Sequence, residues 1–151
     1  MASFEDILNQ AVDDIEKPKP RPTGHYLGVV AGLPQQVVQG TKDGDRSILR
    51  FMIKPIAAQE DVDQDNLAEH GELATWPPFR RDYWIDTPEG LYNAKLFLTE
   101  VLGIEAGKGA TFSQIASESP GKQVVFELGH RPFVRDGQPE IATEIKSVAK
   151  A

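Results

Sequence analysis

The spacing of apolar positions changes repeatedly along the chain, and each change marks an element. Residues 3–16 (SFEDILNQAVDDIE) place Phe4, Ile7, Leu8, Ala11, Val12 and Ile15 at helical intervals, and Ser3 stands three residues before Asp6 in a loose capping pattern. The spacing predicts a short amphipathic helix. It stops at KPKPRP, because Pro18, Pro20 and Pro22 lack amide donors and favour a stiff, extended connector. From Gly24 the period becomes that of strands. Residues 24–40 read as one long, bent first strand, with Gly28, Gly32 and Pro34 as bend points. A turn at Thr41 to Asp45 then leads into a second strand, Arg46 to Lys54, completing a hairpin.

Residues 55–78 hold Pro55, Gly71, Pro77 and Pro78 among acidic and small polar residues, which predicts a long loop. Phe79 to Asp86 (FRRDYWID) alternates as a third strand. Thr87 and Pro88 then open a helix whose apolar stripe is Leu91, Ala94, Leu98, Val101 and Leu102, and Gly103 ends it. Thr111 to Ser117 predicts one further helical turn. QVVFELGHRPF, from Gln123, reads as a fourth strand, and EIATEIK, from Glu140, as a fifth, joined by a turn at Arg135 to Gln138. The predicted organisation is a helix and connector over 1–22, followed by one domain over 23–151 with a long acidic loop at 55–78. Three strands, a helix and two closing strands is the order of the oligonucleotide-binding (OB) fold. The expected class is therefore mainly β: a five-stranded Greek-key barrel with a helix between strands 3 and 4, plus a short N-terminal helix.

Length and composition are compatible with that. A chain of 151 residues is one ordinary domain, with 40% hydrophobic and 26% charged residues. No apolar run approaches the roughly 20 residues that cross a bilayer, and no basic-then-apolar leader is visible, so a soluble, unexported protein is expected. The absence of Cys excludes disulfides, thiolate zinc sites and thiol nucleophiles, and fits a reducing cytoplasm.

The formal net charge of −7 argues against an indiscriminate polyanion binder, because phosphate affinity comes from Lys and Arg that displace counterions. The acidity is segregated, however. Residues 1–20 carry −3 and residues 56–75 carry −6, so the remainder is +2 and the predicted barrel is mildly basic. Asp61, Asp63 and Asp65 share the opening spacing of an EF-hand loop, but Asn66 stands where that loop needs glycine, so a solvated acidic loop is expected rather than a metal site. His25, His70 and His130 are scattered, and Gly107 to Thr111 lacks both the spacing and the preceding strand of a phosphate loop. No acid, base and nucleophile set can be named. A binding protein without cofactor or metal is expected, not an enzyme.

Single strands are held by cations along the backbone and by rings on which bases stack. In the second strand the two-residue alternation places Arg46, Ile48, Arg50, Met52 and Lys54 on one face and Leu49, Phe51 and Ile53 on the other, towards the core. In the third strand either Arg80, Asp82 and Trp84 or Phe79, Arg81 and Tyr83 face outwards, and Trp84 with Arg80 is the favoured choice. A solvated sheet face and buried aromatics would satisfy the same pattern. Trp76, beside two prolines, and Phe133, between Arg131 and Arg135, are further candidates because loop rings have less core to enter. Tyr26, at the start of the first strand, would either stack a base or seal the barrel.

The chain resembles phage single-stranded DNA-binding proteins of the OB type. The resemblance lies in Gly24-His25-Tyr26 opening the first strand, in the LYNAKLFLTEVLGI helix ending at Gly103, and in a Gly-Lys pair leading into Val124-Val125-Phe126. It covers roughly residues 24–148. It implies non-sequence-specific binding of single-stranded DNA in phage DNA replication, recombination or repair, with replication or recombination proteins as further partners and homo-oligomerisation left open. Many such proteins end in an acidic tail, which EIKSVAKA is not. The competing expectation is a protein adaptor that uses the barrel as scaffold and docks through its N-terminal helix.

Overall fold

A computed structural model describes residues 3–15, 17 and 19–151. Its elements in order are α1 (Phe4–Leu8), β1 (Gly24–Val30), β2 (Gln35–Thr41), β3 (Gly44–Ala58), α2 (Gln64–Glu69), β4 (Phe79–Trp84), α3 (Pro88–Leu96), α4 (Phe112–Ala116), β5 (Gln123–Arg135) and β6 (Gln138–Lys150). The architecture is mainly β: an antiparallel six-stranded sheet in the order β2-β3-β1-β5-β6, with β4 paired to β3. The sheet is open. β4 and β6 approach each other, but among the described residues no ladder joins them.

β3 organises the sheet because it is long enough to serve three partners. Its first half pairs with β2 (Gln35 with Arg50 through Thr41 with Gly44), and its second half pairs on the same edge with β1. β4 takes the opposite edge, from Ile48 with Trp84 to Ile53 with Phe79. The expected single first strand is thus two strands lying end to end along β3. The interruption falls at residues 31–34, where Gly32 adopts a left-handed φ of 78° that side-chain-bearing residues avoid. β3 itself runs past the expected stop at Pro55. Proline lacks a ladder donor, and the structure accommodates it at a register shift opposite Leu27 and Gly28. Gly28 is required there for space, since a Cβ would come within 2.6 Å of the Phe126 ring and 2.7 Å of Ile53.

The core side of the sheet is aromatic. Tyr26 stacks on Phe126 (5.7 Å between centroids, 15° between planes), and Phe51 packs on Phe97 at 4.8 Å. The helix after β4 closes this side with Ala94, Phe97 and Leu98. It starts as expected, with Thr87 accepting from the Gly90 amide and Pro88 in the first turn, and it continues beyond Leu96 as a π-helical turn to Val101. α4 carries a full capping box between Thr111 and Gln114. Among the described residues no helix is long and apolar enough to cross a membrane.

The N-terminal helix is shorter than its pattern predicts. Ser3 and Asp6 do form the capping box, yet α1 ends at Leu8, a 3-10 turn follows at Val12–Asp14, and Glu16 and Pro18 lie outside the described residues. Phe4, Ile7, Leu8, Val12 and Ile15 are all exposed. An isolated helix shorter than about 12–15 residues is marginal in water, and nothing on the sheet covers this one. The connector, in contrast, lies on the β5–β6 hairpin: His130 Nε2 is 2.7 Å from the Arg21 carbonyl, and Lys17 bonds the Pro139 carbonyl at 2.9 Å and the Glu140 carboxylate at 3.0 Å.

Candidate nucleic-acid interface

On β3 the alternation holds. Leu49, Phe51 and Ile53 are buried towards the core, while Arg46, Arg50 and Lys54 emerge on the other face. On β4, Phe79 and Tyr83 turn inwards and Arg80 and Trp84 outwards. Residues directly opposite one another in an antiparallel sheet share a face, so the register builds the outer surface row by row. Gln35, Arg50 and Asp82 form one row; Val37, Ile48 and Trp84 form the next; Gln39 stands beside Arg46, and Met52 beside Arg80. Ile48, which shares this face, is nonetheless buried, because Val37 and Trp84 flank it from both sides.

Trp84 is the exposed ring of this surface, with 44% of its area accessible. The Arg46 guanidinium lies over it at 3.7 Å from the ring centroid and is itself fixed by two bonds to Asp86, at 3.0 and 3.1 Å. The ring is thus held by a cation–π contact from a cation whose fork geometry is set by a carboxylate. Arg46 holds Asp86 down to about 2, aided by the Ser47 amide, and the same bonds raise the Arg46 guanidinium.

The carboxylates also change the electrostatics. Arg50 is bidentate to Asp82 at 2.9 and 3.1 Å, and Arg80 approaches the same carboxylate at 3.8 Å. Lys54 donates to the Trp76 carbonyl at 3.0 Å. The expected cationic stripe is therefore present but internally paired. Sequence reading missed the roles of Asp82 and Asp86 because strand register, which puts Asp82 opposite Arg50, is not written in either strand alone.

Arg131, Phe133 and Arg135 form a separate cluster on β5. Both guanidiniums lie near the Phe133 ring, at 5.8 and 5.4 Å, and Arg131 bonds Glu144 at 3.1 Å. Two candidates leave the interface. Tyr26 is fully buried; its hydroxyl donates to the Pro22 carbonyl at 2.7 Å, and burial pushes its pKa up to about 12. Trp76 is 1% exposed, with Nε1 donating to the His70 carbonyl at 3.1 Å and Arg21 over its ring at 5.0 Å. In both cases a large ring gains more from the core than from solvent, whatever the polarity of its neighbours in sequence.

No family model and no curated protein matches the chain. The functional reading therefore rests on this geometry.

Two of the three aspartates whose spacing suggested a metal, Asp61 and Asp63, have their carboxylates engaged by the protein itself. Asp63 caps α2 by accepting from the Asp65 and Asn66 amides. Asp61 takes two contacts from His25, the backbone amide at 3.0 Å and Nδ1 at 2.7 Å, and Glu127 stands 3.6 Å from Nε2. The Asp61 hydrogen bond raises the His25 pKa, and the same bond lowers that of Asp61. A raised histidine contributes stability fully below its unfolded value of about 6.5 and loses it as pH rises through the folded value. The thermal midpoint of the wild type should therefore fall on going from pH 6 to pH 8, and His25→Gln should flatten that dependence. An identical pH profile in the two proteins would contradict a stabilising His25–Asp61 bond.

Proposed function

We propose that the chain is an OB-type, non-enzymatic protein that binds single-stranded DNA without sequence specificity, in support of DNA replication, recombination or repair. The observation that carries this reading is Trp84, exposed and clamped beneath Arg46 on a sheet face that also bears Arg50 and Arg80. Two features support an OB-type arrangement: β1 and β2 following β3 as one bent path, and a helix between β4 and β5. The outer sheet face supplies a ring of the kind on which bases stack, and the Arg131–Phe133–Arg135 cluster supplies a second ring flanked by cations.

Internal pairing sets how such a protein binds. Arg46 and Arg50 are compensated by Asp86 and Asp82, so few cations remain to displace counterions. With about three phosphates neutralised, log K should fall with log salt at a slope of about −2, shallow for a single-strand binder. Stacking then supplies much of the affinity, which favours unpaired over paired DNA, since duplex bases are already stacked. A gel-shift series with single- and double-stranded oligonucleotides across a salt gradient tests this. The expected result is a shift confined to single strands with that shallow slope; no complex with either would overturn the reading.

One observation favours a second reading, an adaptor. α1 and the turn after it leave Phe4, Ile7, Leu8, Val12 and Ile15 exposed among acidic residues, a segment suited to a basic, apolar protein groove. A chain that shifts no oligonucleotide would leave this reading in place.

A further inference from the structure

β2 is bonded to β3 along one edge in an unbroken register, and its other edge faces solvent; among the described residues, no other element bonds to it. Exposed strand edges invite pairing with another strand, and proteins usually guard them with charges, prolines or bulges. β6, at the far margin of the sheet, is guarded in this way: it carries Pro139, Glu140, Glu144, Lys146 and Lys150, and its register with β5 shifts at Glu127 and Leu128. β2, with the sequence QQVVQGT, has no charge, no proline and no bulge.

We infer that β2 is the seam of a two-fold dimer, paired antiparallel with β2 of a second copy. The surface around β2 is self-complementary. Val38, on the core side of the strand, is 69% exposed. On that same side Gln36 borders an apolar groove of about 290 Å³ lined by Leu33, Pro34, Leu49, Phe112 and Ala116. A two-fold axis through Val37 sets Val37 against its copy and Gln36 against the copy's Val38. Each copy's Val38 is thereby delivered to the other's groove, the reciprocal contact that an isologous interface requires. Leu33, also exposed, is covered by the same pairing.

The axis lies perpendicular to the sheet, so the two outer faces end on one side. The continuous order becomes β4-β3-β2-β2-β3-β4, with Gln35, Val37 and Gln39 bridging two Trp84 platforms. That consequence rests on the proposed DNA-binding reading; the dimer itself does not.

The test uses the full chain without nucleic acid. Sedimentation equilibrium at micromolar concentration should give twice 16.6 kDa, and Val38→Lys should return the mass to 16.6 kDa with an unchanged far-ultraviolet circular dichroism spectrum. The chain has no cysteine, so Val37→Cys introduces a single thiol that faces its copy at a cross-strand Cβ separation of about 4.5–5.5 Å. Mild oxidation should cross-link it far more completely than Val134→Cys on the exposed β5 hairpin. A wild-type mass of one chain would overturn the inference. So would a dimer that survives Val38→Lys, or cross-linking at 37 no better than at 134.

Discussion

Replacing Trp76 by alanine should destabilise the protein by about 3–5 kcal/mol, the range for truncating a fully buried Trp or Phe. The effect is large because this ring joins parts of the chain that are distant in sequence. It packs on Tyr26 at 5.9 Å and on Phe79 at 6.4 Å, and Arg21 of the connector covers it at 5.0 Å. Its indole nitrogen ties the loop through the His70 carbonyl at 3.1 Å. Truncation therefore empties the core beneath β1 and β4 and releases the loop and the connector together. At about 2–4 °C per kcal/mol for a chain of this size, the thermal midpoint should drop by roughly 6–20 °C. Trp84→Ala, at a half-exposed position, should cost about 1 kcal/mol or less. Urea or thermal denaturation of the two variants checks the contrast; similar losses would contradict the placement of the rings.

The same pair of tryptophans should exchange rank when oligonucleotide binding is read. Trp84→Ala should weaken binding of a labelled oligo-dT by about 1–3 kcal/mol, the usual worth of one base–ring stack, or roughly 5- to 150-fold. Loss of the ring also frees Arg46, whose guanidinium lies over it at 3.7 Å, so part of the effect is disorder in the platform. Substitution of the carboxylate in the adjacent row should act in the opposite direction. Asp82→Asn releases Arg50, bonded at 2.9 Å, and Arg80, at 3.8 Å, and should both tighten binding and steepen its salt dependence. Fluorescence anisotropy at two salt concentrations reads both variants. Affinity unchanged by Trp84→Ala, or reduced by Asp82→Asn in a folded protein, would count against this face as the interface.

Much of the strand layout was legible because alternation is a local property. RSILRFMIK assigned Leu49, Phe51 and Ile53 to the core and Arg46, Arg50 and Lys54 to the other face, and the favoured outward choice of Arg80 and Trp84 on β4 agrees with the structure. The helix opening at Thr87 was legible for the same reason, through its cap and its proline. What local pattern could not supply was partnership across the sheet. The pairing of Asp82 with Arg50 and of Asp86 with Arg46 depends on register, and these pairs convert an apparent phosphate track into a compensated surface. Trp76 misled for a related reason: a polar, proline-rich loop surrounds it in sequence, while Tyr26, Phe79 and Arg21 surround it in space. The N-terminal pattern misled in the opposite sense. Its apolar stripe is real, but without a surface to bury it the helix extends only from Phe4 to Leu8.

The most direct measurement follows tryptophan emission during titration with oligo-dT. The protein has two tryptophans, one buried and one exposed, so wild-type emission should be quenched on saturation and the quench should vanish in Trp84→Phe. Emission unchanged in the wild type at saturating oligonucleotide, or a quench that persists in full without Trp84, would contradict the assignment of this sheet face to single-stranded DNA.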